Sequence, residues 1–122
     1  MRAETIKGHL DLLLLAIVAD GPAHGYAVIT ELATRSAGAL RLPEGTVYPA
    51  LHRLEAAGSL ASLWVSINGR RRRVYKLTAD GRRALARRRA DWQAFSAAVG
   101  AVIGGAARTG ARPATGVATN PV

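Results

Sequence analysis

Asn68-Gly69 constrains this chain more than any other pair of residues. Strand-like runs flank it, Ser59 to Ile67 before and Arg70 to Thr78 after. Asn-Gly accepts the two positive φ angles of a type I′ turn, the loop whose twist suits a two-residue hairpin. Such a loop sets Ile67 opposite Arg70, Val65 opposite Arg72 and Leu63 opposite Val74. Trp64 then faces Arg73, on the side shared with Tyr75 and Leu77. Both faces carry apolar groups, so either both are covered or a bulge shifts the register. Arg70, Arg71, Arg72 and Arg73 crowd the tip.

Upstream, Pro43 to Gly58 reads as a helix: proline and acid open it, and glycine closes it. Val47, Leu51 and Leu54 fall at i, i+4 and i+7, a stripe that must face a core. Away from that stripe lie Thr46, Tyr48, His52 and Arg53, none acidic and all able to donate hydrogen bonds to a phosphate or a base edge. Arg53 has a competing use, pairing with an acid such as Glu55 or Glu31. A helix is expected from about His24 to Ser36, with Tyr26, Ile29, Leu32 and Ala33 on its buried side and Gly38 at a left-handed cap. The short link between these two helices matches helix-turn-helix geometry, in which the second helix enters the major groove.

Ile6 to Asp20 reads as the first helix, ended by Asp20-Gly21-Pro22. Ile6, Leu10, Leu13, Leu14 and Ile17 form one apolar face, and Leu12, Leu15 and Val18 form another. A helix apolar on most sides must be covered on most sides, either by a partner subunit at its second face or by a central place within the chain's own core. The last helix starts at Thr78-Ala79-Asp80-Gly81, with Thr78 as N-cap. Along it Leu85, Trp92 and Val99 recur every seven residues, with Phe95 and Val102 at the complementary positions. That seam and the second face of the first helix predict a homodimer through Leu12, Leu15, Leu85, Trp92, Phe95, Val99 and Val102. Arg82, Arg83, Arg87, Arg88 and Arg89 read mainly as solvated surface adding to a diffuse positive field. From Gly104-Gly105 the chain is small and polar, without periodicity, and is expected to be a disordered tail.

Charge narrows the partners. A 122-residue chain with a net charge of +9 and clustered arginines favours a polyanion over a protein that is merely basic. RNA is disfavoured, since no exposed aromatic stacking platform accompanies the charge. With no cysteine, thiolate metal sites and disulfides are excluded. His9 and His24 lack a second ligand at metal spacing, and no cofactor is implied. No Ser, His and Asp form a recognisable catalytic set, and Gly45-Thr46 is no phosphate loop, so an enzyme is not expected. The apolar run Leu12 to Ala19 is well short of the ~20 residues needed to span a bilayer. Acids precede it rather than a basic leader, so a soluble, cytoplasmic protein with no membrane partner is expected.

The block Pro43-Glu44-Gly45-Thr46-Val47-Tyr48-Pro49-Ala50-Leu51-His52-Arg53-Leu54-Glu55-Ala56-Ala57-Gly58 resembles the third helix of PadR-family transcriptional regulators. His24-Gly25-Tyr26 and Tyr75-Lys76-Leu77-Thr78-Ala79-Asp80-Gly81 are similar to that family's other signature blocks. Order and spacing fit from about Leu10 to Phe95. The resemblance implies a mainly α fold with a small β-hairpin wing: a winged helix-turn-helix plus a long C-terminal dimerisation helix, as in the small subclass. In that subclass the last helix packs on the partner's first helix. It further implies a homodimer on double-stranded operator DNA, usually a repressor. Trp92 matches a tryptophan that lines a central ligand pore in multidrug-sensing relatives, which implies a small planar aromatic effector. The alanine-rich last helix and its arginine cluster depart from those sensors.

These readings place a DNA-binding domain at 1–79, a dimerisation helix at 80–104 and a tail at 105–122. The DNA-binding set is Thr46, Tyr48, His52, Arg53 and Arg70 to Arg73. The rival reading is a ligand-binding or protein-interaction module that uses the same fold structurally.

Overall fold

A computed structural model describes residues 3–104. In chain order the elements are α1 (Ala3–Lys7), α2 (Leu10–Ala19), β1 (Ala23–His24), α3 (Gly25–Arg35), α4 (Glu44–Ala56), β2 (Leu60–Ile67), β3 (Arg70–Leu77) and α5 (Ala79–Ile103). The fold is mainly helical with a small three-stranded antiparallel sheet, ordered β1-β3-β2. The chain divides into two compact units, Met1–Arg88 and Arg89–Val122. The division falls inside α5, beyond the sequence-based boundary at 79, because Gly81 and Leu85 are buried in the first unit. The expected tail at 105–122 lies outside the described residues.

In the first unit the core is a single cluster. Leu14 and Leu15 of α2, Val28 of α3, and Val47 and Leu51 of α4 are fully enclosed, and Tyr75 of β3 is almost so. Each such side chain is worth roughly 1.5–3 kcal/mol when removed from water. The stripe expected on α4 is the buried one, with Ala50 added to Val47, Leu51 and Leu54.

The structure departs from the sequence reading at several elements. The first helix is not continuous: it breaks at Gly8-His9, where the His9 N–H turns back to the Ile6 carbonyl at 2.8 Å. Glycine costs about 1 kcal/mol inside a helix, and the break lets Ile6 tuck into the core. Of the two readings of its apolar faces the central one holds for α2, since Leu10, Leu14, Leu15, Ile17 and Val18 are all buried within the chain. On α3 the buried row is Gly25, Val28 and Leu32, and Tyr26 points outward at 56% exposure. A glycine carries no hydrophobic signature, so the true row is masked by its larger neighbours. Finally, β1 was not expected at all: Ala23 pairs with Tyr75 and His24 with Val74.

The hairpin keeps the register of a two-residue turn along its whole length, from Leu60 opposite Leu77 to Ile67 opposite Arg70. Asn68 and Gly69 both have positive φ, 52° and 77°. No bulge intervenes, so the apolar groups on both faces are accommodated by leaving Leu63, Trp64 and Val65 exposed. Thr78 caps α5 as expected: its Oγ1 accepts the Gly81 N–H at 2.9 Å and donates to the Gly58 carbonyl at 2.6 Å. Gly81 packs so tightly on the Ser59 carbonyl that a Cβ there would collide with backbone.

In the second unit Trp92, Phe95, Val99, Val102 and Ile103 of α5 are exposed. The rings of Trp92 and Phe95 stand 6.4 Å apart, tilted by 49°. Leu85 and Leu15, expected at the same dimer seam, are instead spent on the first unit's own core.

Candidate nucleic-acid interface

A cleft of about 240 Å³ opens between α4 and the hairpin, lined by His24, Gly25, Tyr48, His52, Trp64, Arg71, Arg72, Arg73 and Tyr75. It unites two groups of residues that the sequence placed on separate elements: Tyr48 and His52 from the helix, and three arginines from the wing.

Tyr48 is held from behind by Gly25, whose missing side chain leaves room for the phenol ring. Burial raises the Tyr48 pKa, Glu44 adds to the rise, and Arg72 opposes it. The hydroxyl therefore stays a hydrogen-bond donor at neutral pH. His52, one turn on, is exposed. Thr46 is exposed too but does not line the cleft. Pro49 lies inside α4, so no N–H at that position reaches back to the Gly45 carbonyl.

The backbone behind the cleft is fixed by β1 and the start of α3. His24 closes the strand and caps the helix, its Nδ1 accepting the Ala27 N–H at 3.4 Å. Tyr75, enclosed beneath the cleft, also has a raised pKa; burial is the main cause, and Arg73 works against it.

The arginines are not equivalent. Arg70 and Arg71 are exposed, and Arg71 lies over the Trp64 ring, 5.0 Å from its centroid. Arg73 lies over the same ring at 5.5 Å. Its Nε donates to Ser62 Oγ at 2.8 Å, and its Nη2 approaches both Glu55 oxygens at 3.4 Å. Ser62 Oγ in turn donates to Glu55 Oε2 at 2.6 Å. These donors hold the Glu55 carboxyl below its ordinary pKa, the Ser62 hydrogen bond first and the Arg73 charge after it, against the effect of burial.

Arg53 is also engaged, but with neither acid the sequence suggested. Its Nη2 donates to Asp11 Oδ1 at 2.6 Å, and Arg88 reaches the other oxygen of Asp11 at 3.4 Å. Sequence reasoning missed Trp64, Glu55, Ser62 and His24 as members of this site. The hairpin register, which set Trp64 opposite Arg73, was the available signal for the first.

Among the described residues no group of His, Asp and Glu is placed to hold a metal ion. Nor is any described helix long and apolar enough to cross a membrane. What the cleft offers is a set of donors and positive charges, chemistry suited to phosphates and base edges.

Comparison with known proteins places the chain in a family. Residues 14–87 match the model of the transcriptional regulator PadR-like family. A transcriptional regulator of Mycobacterium tuberculosis is 41% identical over 98 residues, covering 80% of this chain and 86% of its own. The crystal structure of a PadR family transcriptional regulator from Eggerthella lenta superposes with a TM-score of 0.73 at 33% identity, over 82% of this chain and 86% of that one. A transcriptional regulator from Clostridium thermocellum shares the fold, with a TM-score of 0.77 at 22% identity over 83% and 99% of the two chains. Members of this family are transcriptional regulators rather than enzymes. With its α4 block, its wing and its long α5, the chain belongs to the PadR-like family of transcriptional regulators.

Proposed function

We propose that this regulator is a homodimeric repressor that binds a pseudo-palindromic DNA operator. The observation that carries the reading is the convergence of Tyr48, His52, Arg71 and Arg72 on one cleft between helix and wing. In this reading residues 1–79 bind DNA and 80–104 dimerise. Thr46, Tyr48 and His52 address the major groove, while Arg70, Arg71 and Arg72 neutralise phosphates. Arg53 and Arg73 enter the interface already paired with Asp11 and Glu55.

The exposed apolar residues of α5 support dimerisation; Leu12 of α2, partly buried against the first unit's core, is the remaining α2 member of the proposed set. Two copies set half-sites one helical turn, roughly 34 Å, apart. A gel shift on DNA upstream of the protein's own gene tests the reading. Specific retardation is expected, weakening steeply with salt. Binding unchanged by alanine at Arg70, Arg71 and Arg72 together would remove the wing from it. Binding with no preference over bulk DNA would favour the rival module. Sedimentation checks the dimer: Phe95→Glu with Val99→Glu should yield monomer.

Trp92, 42% exposed beside Phe95, supports a planar aromatic effector at the dimer interface. In a Trp64→Phe background, Trp92 is the only tryptophan left. Its fluorescence should be quenched by planar aromatic cations, and those same compounds should release the DNA. Quenching without release would leave Trp92 outside regulation.

A further inference from the structure

Glu55 is out of place by two simple criteria. It lies in the last turn of α4, where the helix dipole disfavours an acid. It also places a negative charge beside Arg73, one of three arginines lining the cleft, and within range of His52. Its side chain nevertheless sits in an ordered network: Ser62 of β2 donates to it, Arg73 of β3 donates to Ser62 and approaches both carboxylate oxygens, and Arg73 covers Trp64. The chain of contacts runs from the helix, across both strands, to the ring that lines the cleft.

We propose that Glu55 is a positioning residue for DNA binding: through Ser62 and Arg73 it locks the wing, and the Trp64 ring, at a fixed setting against α4. Arg73 is consumed by this lock and neutralises no phosphate. The wing arginines therefore divide by role, with Arg70, Arg71 and Arg72 meeting the DNA and Arg73 holding the strand that presents them. This inference rests on the DNA-binding reading above.

The sign of one substitution separates the lock from plain electrostatics. Glu55→Gln removes a negative charge from beside the proposed DNA-binding cleft, which by itself tightens binding. The lock requires the reverse. Fluorescence anisotropy on a labelled duplex from the protein's own promoter, across a salt series, should show Glu55→Gln binding weaker by roughly five- to tenfold, in the range of coupling between contacting groups. The salt slope should stay that of the wild type. Arg73→Ala should weaken binding without changing the slope, whereas Arg72→Ala should make it shallower by about 0.9. The double variant Glu55→Gln/Arg73→Ala should bind no worse than Arg73→Ala alone.

Equal or tighter binding by Glu55→Gln would overturn the proposal, as would a slope change of about 0.9 in Arg73→Ala. A second readout needs no DNA. In a Trp92→Phe background, Trp64 emission should shift on Glu55→Gln while far-UV circular dichroism stays that of the parent. Unchanged emission would overturn the lock. Absence of DNA binding by the wild type with a shifted Trp64 emission would overturn the DNA reading and leave the lock standing.

Discussion

Gly25 and Gly81 both lack room for a methyl group, yet their obstacles differ in kind. At Gly81 the obstacle is the Ser59 carbonyl, part of the backbone; at Gly25 it is the Tyr48 ring, which can turn. Gly81→Ala should therefore destabilise the fold by about 1–3 kcal/mol, the usual cost of overpacking. Gly25→Ala should displace Tyr48 from the cleft, lowering DNA affinity more than melting temperature. Thermal melts and anisotropy on the two variants check the contrast. Glu55 gives a pH prediction at the same scale. Its carboxyl pKa is lowered in the fold, so its stabilisation is present above the ordinary carboxylate pKa and is lost as pH falls through the folded value. The stability gap between wild type and Glu55→Gln should be constant near neutrality and close under acid, as followed by urea melts across pH.

Among the elements, legibility tracked the range of the forces involved. The hairpin was readable to the residue because Asn68-Gly69 fixes both turn and register locally. So were the buried stripe of α4 and the cap at Thr78, each decided within a turn or two. Replacing Thr78 with alanine should cost about 1 kcal/mol by denaturant unfolding. It would cost more if the tie from Oγ1 to the Gly58 carbonyl is not replaced by water. β1 was illegible because two residues after a proline carry no period, and they become a strand only when β3 lies alongside. The site followed the same division. Tyr48, His52 and the wing arginines were readable from face and turn. That Arg53 pairs with an acid is legible, but not that Asp11 of α2 is the one rather than Glu55 or Glu31, since only the packing of α2 on α4 makes that choice. Glu55 and Ser62 meet only because α4 and β2 pack together.

For the molecule as a whole, the net charge of +9 sets the long-range field, but local pairing decides which arginines remain to act on a partner. Asp11 pairs with Arg53 of α4 and Arg88 of α5, tying three helices at one carboxylate with 19% side-chain exposure. Asp11→Asn should lower stability by about 1 kcal/mol, at the upper end for partly solvated pairs, and the loss should shrink in high salt. A thermal melt at two ionic strengths tests it.

The hairpin, finally, is buried at its root and bare at its tip: Leu60 and Leu77 are enclosed, while Asn68, Gly69 and Arg70 are exposed. Local opening costs least where the fewest apolar contacts are lost. Amide hydrogen exchange should accordingly slow step by step from the turn down to the Leu60–Leu77 pair, with no single protection factor for the two strands. The wing is then stiff where it joins the body and compliant where it ends, so a displacement at the turn is absorbed there while the strands behind it keep their register.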